Sequence, residues 1–365
     1  MNSLLLHEFH ESLNGRFSQL NGSEVVENYG DPFLEHAALR ESAGILDLSF
    51  RSRLCLTGAD RQKFLNGQVT NNVKDLKVGE GCYAALINAK GKMQSDLNIF
   101  VLATEILLDC EPGLAERVTL RLDKYVIADD VQIVDVAPQY GLLSIQGPKA
   151  EAVCLQLGLD LEVPSKPMTF HTVTDATLGE IYLVNHSRTG SGGFDLYAPA
   201  AAIAVVAQKA IAAAAKLGGR LCGWRAFEIA RIEAGIPRFG ADMDETNLPP
   251  EAGIDARAIS YTKGCYIGQE VIARIRTYGQ VAKALRGLWL ANNLKDLPHR
   301  GDKLYLGDKE IGYVTSAIAS PTLKSNIALA YIRREANQIG TKLSLRTAVG
   351  ESSVKIVQLP FKTLE

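Results

Sequence analysis

The sequence predicts an α+β protein with a duplicated α+β core and an all-β barrel at its C-terminus. A strand that ends in glycine and leads into a helix is predicted at residues 53–65 and again at 142–155. After about residue 283 the helical patterns stop, and short β-like runs separated by turn residues take their place. The repeated unit indicates the duplication, and the change of pattern indicates a separate small barrel.

Between the two repeated units the pattern predicts a β-hairpin. Residues 83–88 and 96–102 are β-like runs, and residues 89–92 (AKGK) have the composition of a turn. Residues 1 to about 30 are polar and weakly periodic. The other elements predicted are helices around 114–125, 198–215 and 222–234 and strands at 131–136, 284–291, 303–306, 310–318, 327–333, 342–346 and 354–359.

We expect the 365 residues to form three domains. The first is an N-terminal α+β domain over residues 1–140, with excursions. The second is an α+β domain over residues 141–283, and it carries the sequence KGCYIGQE at residues 263–270. The third is the β-barrel over residues 284–365.

The composition excludes several classes of protein. Apolar residues make up 47% of the chain, which supports a sizeable core, and the net charge of −2 argues against a general nucleic-acid or membrane-surface binder. No apolar run reaches the roughly 18 residues of a membrane span, and the first residues lack the pattern of a secretory signal. The six cysteines are scattered without a CxxC pair, and no zinc-ligand spacing is present. We therefore expect a cytoplasmic protein with reduced thiols and no metal site.

The stretch KGCYIGQE at residues 263–270 concentrates the most chemistry. Lys263 stands two residues before Cys265, and a nearby ammonium favours the thiolate form of a cysteine. The two glycines of this stretch permit tight turns, and Glu270 begins an apolar periodic run that predicts a helix. The alternative is an ordinary turn with a buried, inert cysteine. Local chemistry alone leaves both interpretations open.

Two further features have a functional and a plain interpretation. Asp96 stands where the predicted hairpin turn enters a strand, a place from which a carboxylate can exchange a proton with a basic nitrogen. Alone, such a residue is more often a solvated turn residue. A basic cluster after residue 270 can meet an anionic group or form a solvated helix face. This cluster comprises Arg274, Arg276, Lys283 and Arg286.

Residues 263–270 resemble the KGC[FY]xGQE signature of the YgfZ-type folate-binding proteins, which are relatives of the glycine-cleavage T-protein (aminomethyltransferase). From about residue 40 to the barrel, the chain is similar to the wider T-protein superfamily. The segments that carry this similarity are 47–49 (DLS), 70–73 (TNNV), 81–83 (GCY), 91–97 (GKMQSDL), 231–237 (RIEAGIP) and 249–253 (PPEAG).

The resemblance implies a T-protein-like three-domain ring around a central hole that holds tetrahydrofolate or a one-carbon derivative of it. It implies that Tyr83 and Asp96 line the pterin side and that Arg231 lies near the p-aminobenzoyl-glutamate end. It further implies that Cys265 is the functional thiol, with Lys263 beside it. The remaining residues assigned to the folate-binding loop are Tyr266, Gly268, Gln269 and Glu270.

The chain departs from the T-protein pattern in three places. Ser95 precedes Asp96 where the T-protein carries two adjacent aspartates. Residues 188–195 (RTGSGGFD) correspond to an RTGYTGEDGFE-like loop, but they are fewer and lack its glutamate. The KGC signature is itself absent from the true T-protein. Because a carboxylate pairs well with the amide and amino edge of a pterin, the missing glutamate argues against one-carbon transfer.

From the resemblance we expect a tetrahydrofolate-binding accessory factor for the assembly or repair of iron–sulfur proteins, including enzymes of iron–sulfur-dependent tRNA modification. In that function Cys265 acts on iron–sulfur client proteins. The alternative is an aminomethyltransferase-type enzyme that transfers a one-carbon unit to tetrahydrofolate through Asp96. A third interpretation is a non-catalytic RNA or protein binder that uses the basic cluster, and the net charge makes it the weakest.

Overall fold

The computed structural model describes residues 3–160, 162–291, 294 and 296–362. The first elements are α1 (His7–Ser12), β1 (Arg16–Leu20), β2 (Ser23–Asn28), α2 (Pro32–Glu41), β3 (Gly44–Asp47), β4 (Ser52–Thr57), α3 (Arg61–Gln68), β5 (Gly81–Ile87), β6 (Met93–Val101), β7 (Ile106–Cys110), α4 (Ala115–Asp123) and β8 (Gln132–Asp135). Next come β9 (Tyr140–Gln146), α5 (Ala150–Cys154), β10 (Phe170–Asp175), β11 (Gly179–Asn185), β12 (Gly193–Pro199), α6 (Ile203–Lys216), β13 (Arg220–Leu221), α7 (Trp224–Glu233), α8 (Asp255–Ala258) and α9 (Gln269–Tyr278). The last elements are β14 (Lys283–Trp289), β15 (Lys303–Leu306), β16 (Lys309–Ser320), β17 (Ser325–Arg333), β18 (Lys342–Thr347) and β19 (Gly350–Val357).

Two sheets form the α+β core. One has five strands in the order β5-β6-β7-β4-β8, and the other has six strands in the order β10-β11-β12-β9-β3-β13. Each sheet contains one of the two predicted strand–glycine–helix units, namely β4 with α3 and β9 with α5. The chain therefore builds the same local unit twice, once in each sheet.

The alternation of side chains along the strands explains how the two sheets pack. In β6, Leu97 and Ile99 join a cluster with residues of α3 and α4, whereas Phe100 belongs to a cluster shared with the six-stranded sheet. The ring of Phe100 contacts the rings of Phe170 and Tyr197 on that sheet, each at 6.2 Å between centroids. Successive strand residues point to opposite faces. One face of the five-stranded sheet is consequently covered by helices and the other by the second sheet.

The C-terminal strands close a six-stranded barrel in the order β14-β17-β16-β15-β18-β19. All of its strand pairs are antiparallel, and its interior is filled by aliphatic side chains such as Leu288, Val314 and Leu345. Helix α7 packs against β16 through Ile229 and Ile232. The predicted α+β fold with a C-terminal all-β barrel is confirmed.

The N-terminal residues form structure that the sequence pattern did not indicate. Helix α1 and the β1–β2 hairpin occupy the segment described above as polar and weakly periodic. Buried polar contacts hold this segment: His10 Nε2 lies 2.8 Å from Asp47 Oδ2, and Tyr29 Oη lies 2.7 Å from His10 Nδ1. Within the described part of the chain, no helix has the length and apolarity needed to cross a membrane.

Candidate functional site

A cavity of about 480 Å³ opens where the two sheets meet α7, α8 and the segment after α7. Its wall includes Tyr83 and Asp96 from the β5–β6 hairpin, Arg188 from the loop after β11, Arg231 from α7 and Arg257 from α8. Cavities of about 300–1,000 Å³ are typical of small-molecule sites. The structure thus brings together three residues predicted from the sequence, Tyr83, Asp96 and Arg231.

The β5–β6 register places Tyr83 and Asp96 side by side. Tyr83 pairs with Asn98 and Ala85 pairs with Asp96, so Asp96 and Asn98 share the cavity face of β6. The hydroxyl of Tyr83 donates a hydrogen bond of 2.8 Å to Asp96 Oδ2. Asp96 Oδ1 is buried and has no hydrogen-bond partner among the described residues. Burial, together with the negative charge of Glu111, raises the pKa of Asp96 above its usual range.

Behind this pair, arginines and carboxylates alternate in one continuous chain of ion pairs, which we call the charge chain. It starts at Asp195, whose carboxylate accepts hydrogen bonds from Arg188, and it ends at Asp242, which accepts from Arg231. Neighbouring members are joined by hydrogen bonds of 2.6 to 3.2 Å in its middle part. In order, its members are Asp195, Arg188, Asp109, Arg51, Glu111, Arg238, Glu228, Arg231 and Asp242.

The arginines of the charge chain favour the ionised form of two of its buried carboxylates, Glu111 and Asp109. Burial alone would raise the pKa of Glu111, but Arg238 and Arg51 outweigh it and lower that pKa below its usual range. The pKa of Asp109 is lowered in the same way, because the attraction of Arg51 and Arg188 outweighs its burial. Charged pairs with such directed hydrogen bonds fix the wall of the cavity in one arrangement.

Arg231 is fully engaged within this chain. Its side chain donates to both oxygens of Glu228, at 3.1 and 2.7 Å, and to the carboxylate of Asp242. Asp242 in turn accepts hydrogen bonds from the hydroxyls of Thr315 and Ser316 on β16, at 2.6 and 2.7 Å. Arg231 therefore joins α7 to the barrel, and its role toward the p-aminobenzoyl-glutamate end of a folate stays a prediction.

Lys263 is bound to backbone carbonyls. Its Nζ donates three hydrogen bonds of 2.6 to 2.7 Å, to the carbonyl oxygens of Asn66, Val69 and Asn71. These three acceptors match the three donors of an ammonium group. Burial lowers the pKa of Lys263 to about 8. Lys263 thus fastens the start of the KGCYIGQE stretch to the last turn of α3 and the segment after it, and its effect on Cys265 stays a prediction.

Cys265 lies outside the described cavity wall. Its side chain is exposed, and the other residues of the stretch that were assigned to the folate are also absent from that wall. Gly268 caps α9 with φ +84°, and a Cβ there would lie 2.5 Å from the carbonyl oxygen of Asn88. The remaining contacts are local. Gln269 Oε1 accepts from the Tyr266 amide at 3.2 Å, Glu270 accepts from Arg274 at 3.0 Å, and the Lys263 ammonium lies 5.0 Å from the Tyr266 ring centroid.

Sequence reasoning missed most of the charged wall. Arg51, Glu111, Arg238 and Arg257 line the cavity but were not among the predicted site residues. The signal that could have found part of it is the spacing of polar residues in otherwise apolar strands. In the sequence, β6 carries Asp96 and Asn98 at alternate positions, and Asp109 and Glu111 alternate in the same way at the end of β7. Among the residues that the structure describes, no group of three histidine, cysteine or acidic side chains is arranged to hold a metal ion.

Comparisons with known proteins cover nearly the whole chain. A family model described as the GCVT N-terminal domain matches residues 6–263, and one described as the glycine cleavage T-protein C-terminal barrel domain matches residues 283–362. An aminomethyltransferase of Halalkalibacterium halodurans is 30% identical over 360 residues, which cover 98% of this chain and 96% of the relative. An aminomethyltransferase of Bacillus subtilis is 29% identical over 358 residues and covers 98% of each chain.

One solved structure matches over almost the whole length of both chains. The crystal structure of the glycine cleavage system aminomethyltransferase T from Bartonella henselae has a TM-score of 0.88 at 22% identity, and the match covers 99% of this chain and 98% of that chain. The predicted T-protein-like fold is confirmed by this likeness.

Proposed function

The chain belongs to the family of the glycine cleavage T-protein, and from that premise we propose that its cavity binds a reduced folate and serves one-carbon transfer through Asp96. The ligand would be tetrahydrofolate or a one-carbon derivative of it. The names of the curated relatives support this proposal, because the alignment to these aminomethyltransferases runs over nearly their whole length.

The observation that carries the proposal is the unpartnered oxygen of Asp96. A buried carboxylate oxygen without a hydrogen-bond donor costs stability unless a ligand supplies that donor. Asp96 lines a cavity of about 480 Å³, and its buried Oδ1 has no hydrogen-bond partner among the described residues. Reduced folates carry N–H groups on the pterin ring that suit such an acceptor. The residues present therefore fit a reduced folate.

Each polar group of the pair has a defined task in this proposal. When bound, a reduced folate supplies nitrogen atoms on which a one-carbon unit is carried. Asp96, whose pKa is raised, can take a proton from a nitrogen beside it or hold one there. The hydroxyl of Tyr83 donates to Asp96 Oδ2 at 2.8 Å, which leaves Oδ1 as the oxygen that a ligand can pair with. The charge chain keeps the surrounding wall rigid.

Binding can be measured with the protein's own fluorescence. Trp224 stacks on Phe227 with ring centroids 5.0 Å apart, and Phe227 lines the cavity. Titration with tetrahydrofolate should give a saturable change in the emission of Trp224. In a second assay, the protein should convert tetrahydrofolate and an aminomethyl-lipoyl carrier into methylenetetrahydrofolate, ammonia and the dihydrolipoyl carrier. Asp96→Asn should lower this activity by roughly 100-fold or more. A chain that does not bind tetrahydrofolate contradicts the proposal.

A second candidate is the accessory factor for iron–sulfur proteins that acts through Cys265. Two observations favour it. Cys265 is the exposed one of the six cysteines, and it lies between the two segments that the family models match. In addition, the carboxylate of Asp195 at the altered loop accepts from Ser144, His186 and Arg188, so it does not replace the missing glutamate of the T-protein pattern.

The two candidates predict opposite results from two variants. If the protein is a one-carbon transferase, a strain that lacks the gene should be rescued by the Cys265→Ala variant but not by Asp96→Asn. If the protein is an accessory factor that uses the thiol, the strain should be rescued by an Asp96→Asn variant that still binds the folate, but not by Cys265→Ala. The measurements are the activity of an iron–sulfur enzyme and the thiolation of tRNA in each strain. Full rescue of both by Cys265→Ala would eliminate the second candidate.

A further inference from the structure

One arginine of the cavity wall has no carboxylate partner among the residues that the structure describes. Four other wall arginines each lie within 3.2 Å of at least one carboxylate oxygen. Arg257 forms no ion pair and no side-chain hydrogen bond with any residue that the structure describes. Its one directed contact is with the ring of Tyr83, whose centroid lies 4.7 Å from the guanidinium carbon. The four paired arginines are Arg51, Arg188, Arg231 and Arg238.

Among the carboxylates of the cavity wall, Asp96 likewise has no ion-pair partner in the described part of the chain. The other wall carboxylate, Glu111, pairs with Arg51 and Arg238, whereas no cation lies within ion-pair distance of Asp96 in the described part of the chain. Tyr83 stands between the two exceptions, because its hydroxyl bonds Asp96 and its ring face carries Arg257. Asp96 Oδ1 is buried and Arg257 is exposed, so the three residues form a row from the depth of the cavity to its edge.

The backbone around Arg257 is firmly held. The side-chain amide of Asn71 donates a hydrogen bond of 3.0 Å to the carbonyl of Arg257. The hydroxyl of Thr70 donates one of 2.6 Å to the carbonyl of Ala258. Lys263 binds the carbonyl of Asn71 from the other side at 2.7 Å. These contacts hold the backbone of α8 at the rim, so the side chain of Arg257 starts from a fixed position. A guanidinium stacked on an aromatic ring keeps its N–H edges free for a carboxylate.

We infer that Arg257 is the subsite for the glutamate carboxylates of the folate, and this inference rests on the function proposed above. A ligand that places its pterin at Asp96 can extend its tail along Tyr83 to Arg257, which lines the same cavity and is exposed. The guanidinium can bind a carboxylate there with two parallel N–H donors. Arg231, which the resemblance assigned to this end, already has its donors engaged by Glu228 and Asp242. Arg257 therefore selects folates with a free, anionic tail.

The test compares two ligands on three proteins. The ligands are tetrahydrofolate and its dimethyl ester, which differ only in the charge of the tail. The proteins are the unaltered chain, Arg257→Gln and the control Arg276→Gln. Arg276 is an exposed arginine that also stacks on a tyrosine, with its guanidinium carbon 4.1 Å from the Tyr261 ring centroid, but it does not line the cavity. Dissociation constants are measured by the fluorescence titration at low salt.

We expect the unaltered chain and Arg276→Gln to bind tetrahydrofolate about 5-fold more tightly than the ester, as suits one partly exposed charged pair. Arg257→Gln should bind both ligands with the affinity that the unaltered chain has for the ester. A preference that persists in Arg257→Gln, or an unaltered chain that binds both ligands equally, overturns the subsite while folate binding stands. If the unaltered chain binds neither ligand, the proposed function fails and the subsite fails with it.

Discussion

Replacing Asp96 by asparagine should stabilise the protein while it removes the proposed chemistry. Asparagine keeps the shape of the side chain, and its carbonyl oxygen can still accept the hydrogen bond from Tyr83. It removes a negative charge whose second oxygen has no partner among the described residues and which lies near the negative charge of Glu111. Stability and function should therefore change in opposite directions at this position.

The size of the gain follows from the environment of the carboxylate. A buried polar group left without a partner costs about 1–3 kcal/mol, and more if it is charged. The amide nitrogen of asparagine would take the place of Oδ1 and would also lack a partner. Only the cost of the charge is therefore relieved, and we expect a gain near the lower limit, about 1 kcal/mol at pH 7. For a folding unit of this size, that gain corresponds to a rise in Tm of about 2–4 °C.

The pH dependence of the gain has a definite sign. Since the pKa of Asp96 is raised in the folded state, the folded protein binds a proton at this site more tightly than the unfolded chain does. The stability tied to that proton is present at low pH and is lost as the pH rises through the folded pKa. The advantage of Asp96→Asn should thus be full at pH values above the folded pKa and should vanish as the pH falls toward about 4.

Thermal unfolding at a series of pH values measures this effect, with Asp308→Asn as the control. Asp308 is an exposed aspartate in the turn between β15 and β16, so its replacement removes the same charge without any burial. A Tm of Asp96→Asn that equals or falls below that of the unaltered protein at pH 7 would refute the reasoning. A gain that grows toward acidic pH would refute it as well.

Three further predictions concern the loop and the barrel contact. Lys263→Met should lower the free energy of unfolding by about 2–3 kcal/mol and speed amide exchange at residues 66–71, because three carbonyls lose their donor; unchanged exchange there would contradict the role as a fastener. Cys265 should react with a maleimide before any other cysteine, to one equivalent per chain, since it is the exposed one; mass spectrometry that finds Cys82 labelled first would contradict this. Asp242→Ala should cost about 3–5 kcal/mol in urea unfolding because it leaves the charge of Arg231 buried without that partner, and Asp242→Asn should cost less; equal losses would show that the charge is not the cause.

The fold was predictable where local pattern determines it. The two strand–glycine–helix units, the β5–β6 hairpin and the barrel strands all follow from periods of two or 3.6 residues and from glycine at the ends. The β1–β2 hairpin was missed because its strands alternate only weakly between polar and apolar residues, although Asn21-Gly22 at its turn is a typical hairpin signal. The place of β3 was also beyond local reasoning. It pairs with β9 and β13 in the six-stranded sheet although the next strand, β4, lies in the other sheet.

The site was predictable only in part, because its contacts join distant segments. Tyr83 and Asp96 meet through a hairpin register, which the sequence indicates. The charge chain instead pairs Asp109 with Arg188, 79 residues away, and Glu111 with Arg238, 127 residues away. The local interpretation of Lys263 shows the same limit. Its neighbour in sequence is Cys265, but its ammonium binds carbonyls that lie 192 to 197 residues away in the chain.

The charge chain also bears on which ligand the cavity binds, and this question is separate from which residue carries out the chemistry. Buried ion pairs seldom stabilise a protein more than apolar residues of the same size would, so a run of nine charged groups indicates a demand for fixed positions. In that wall, two charged residues have no ion-pair partner within the described part of the chain. They are Asp96, a hydrogen-bond acceptor in the depth of the cavity, and Arg257, a cation at its edge. A ligand with N–H groups at one end and carboxylates at the other satisfies both, as a reduced folate does. Cys265 contributes to neither contact. If Cys265→Ala still binds the folate but loses its function, the chemistry belongs to the KGCYIGQE loop. If Cys265→Ala keeps its function, the chemistry belongs to Asp96.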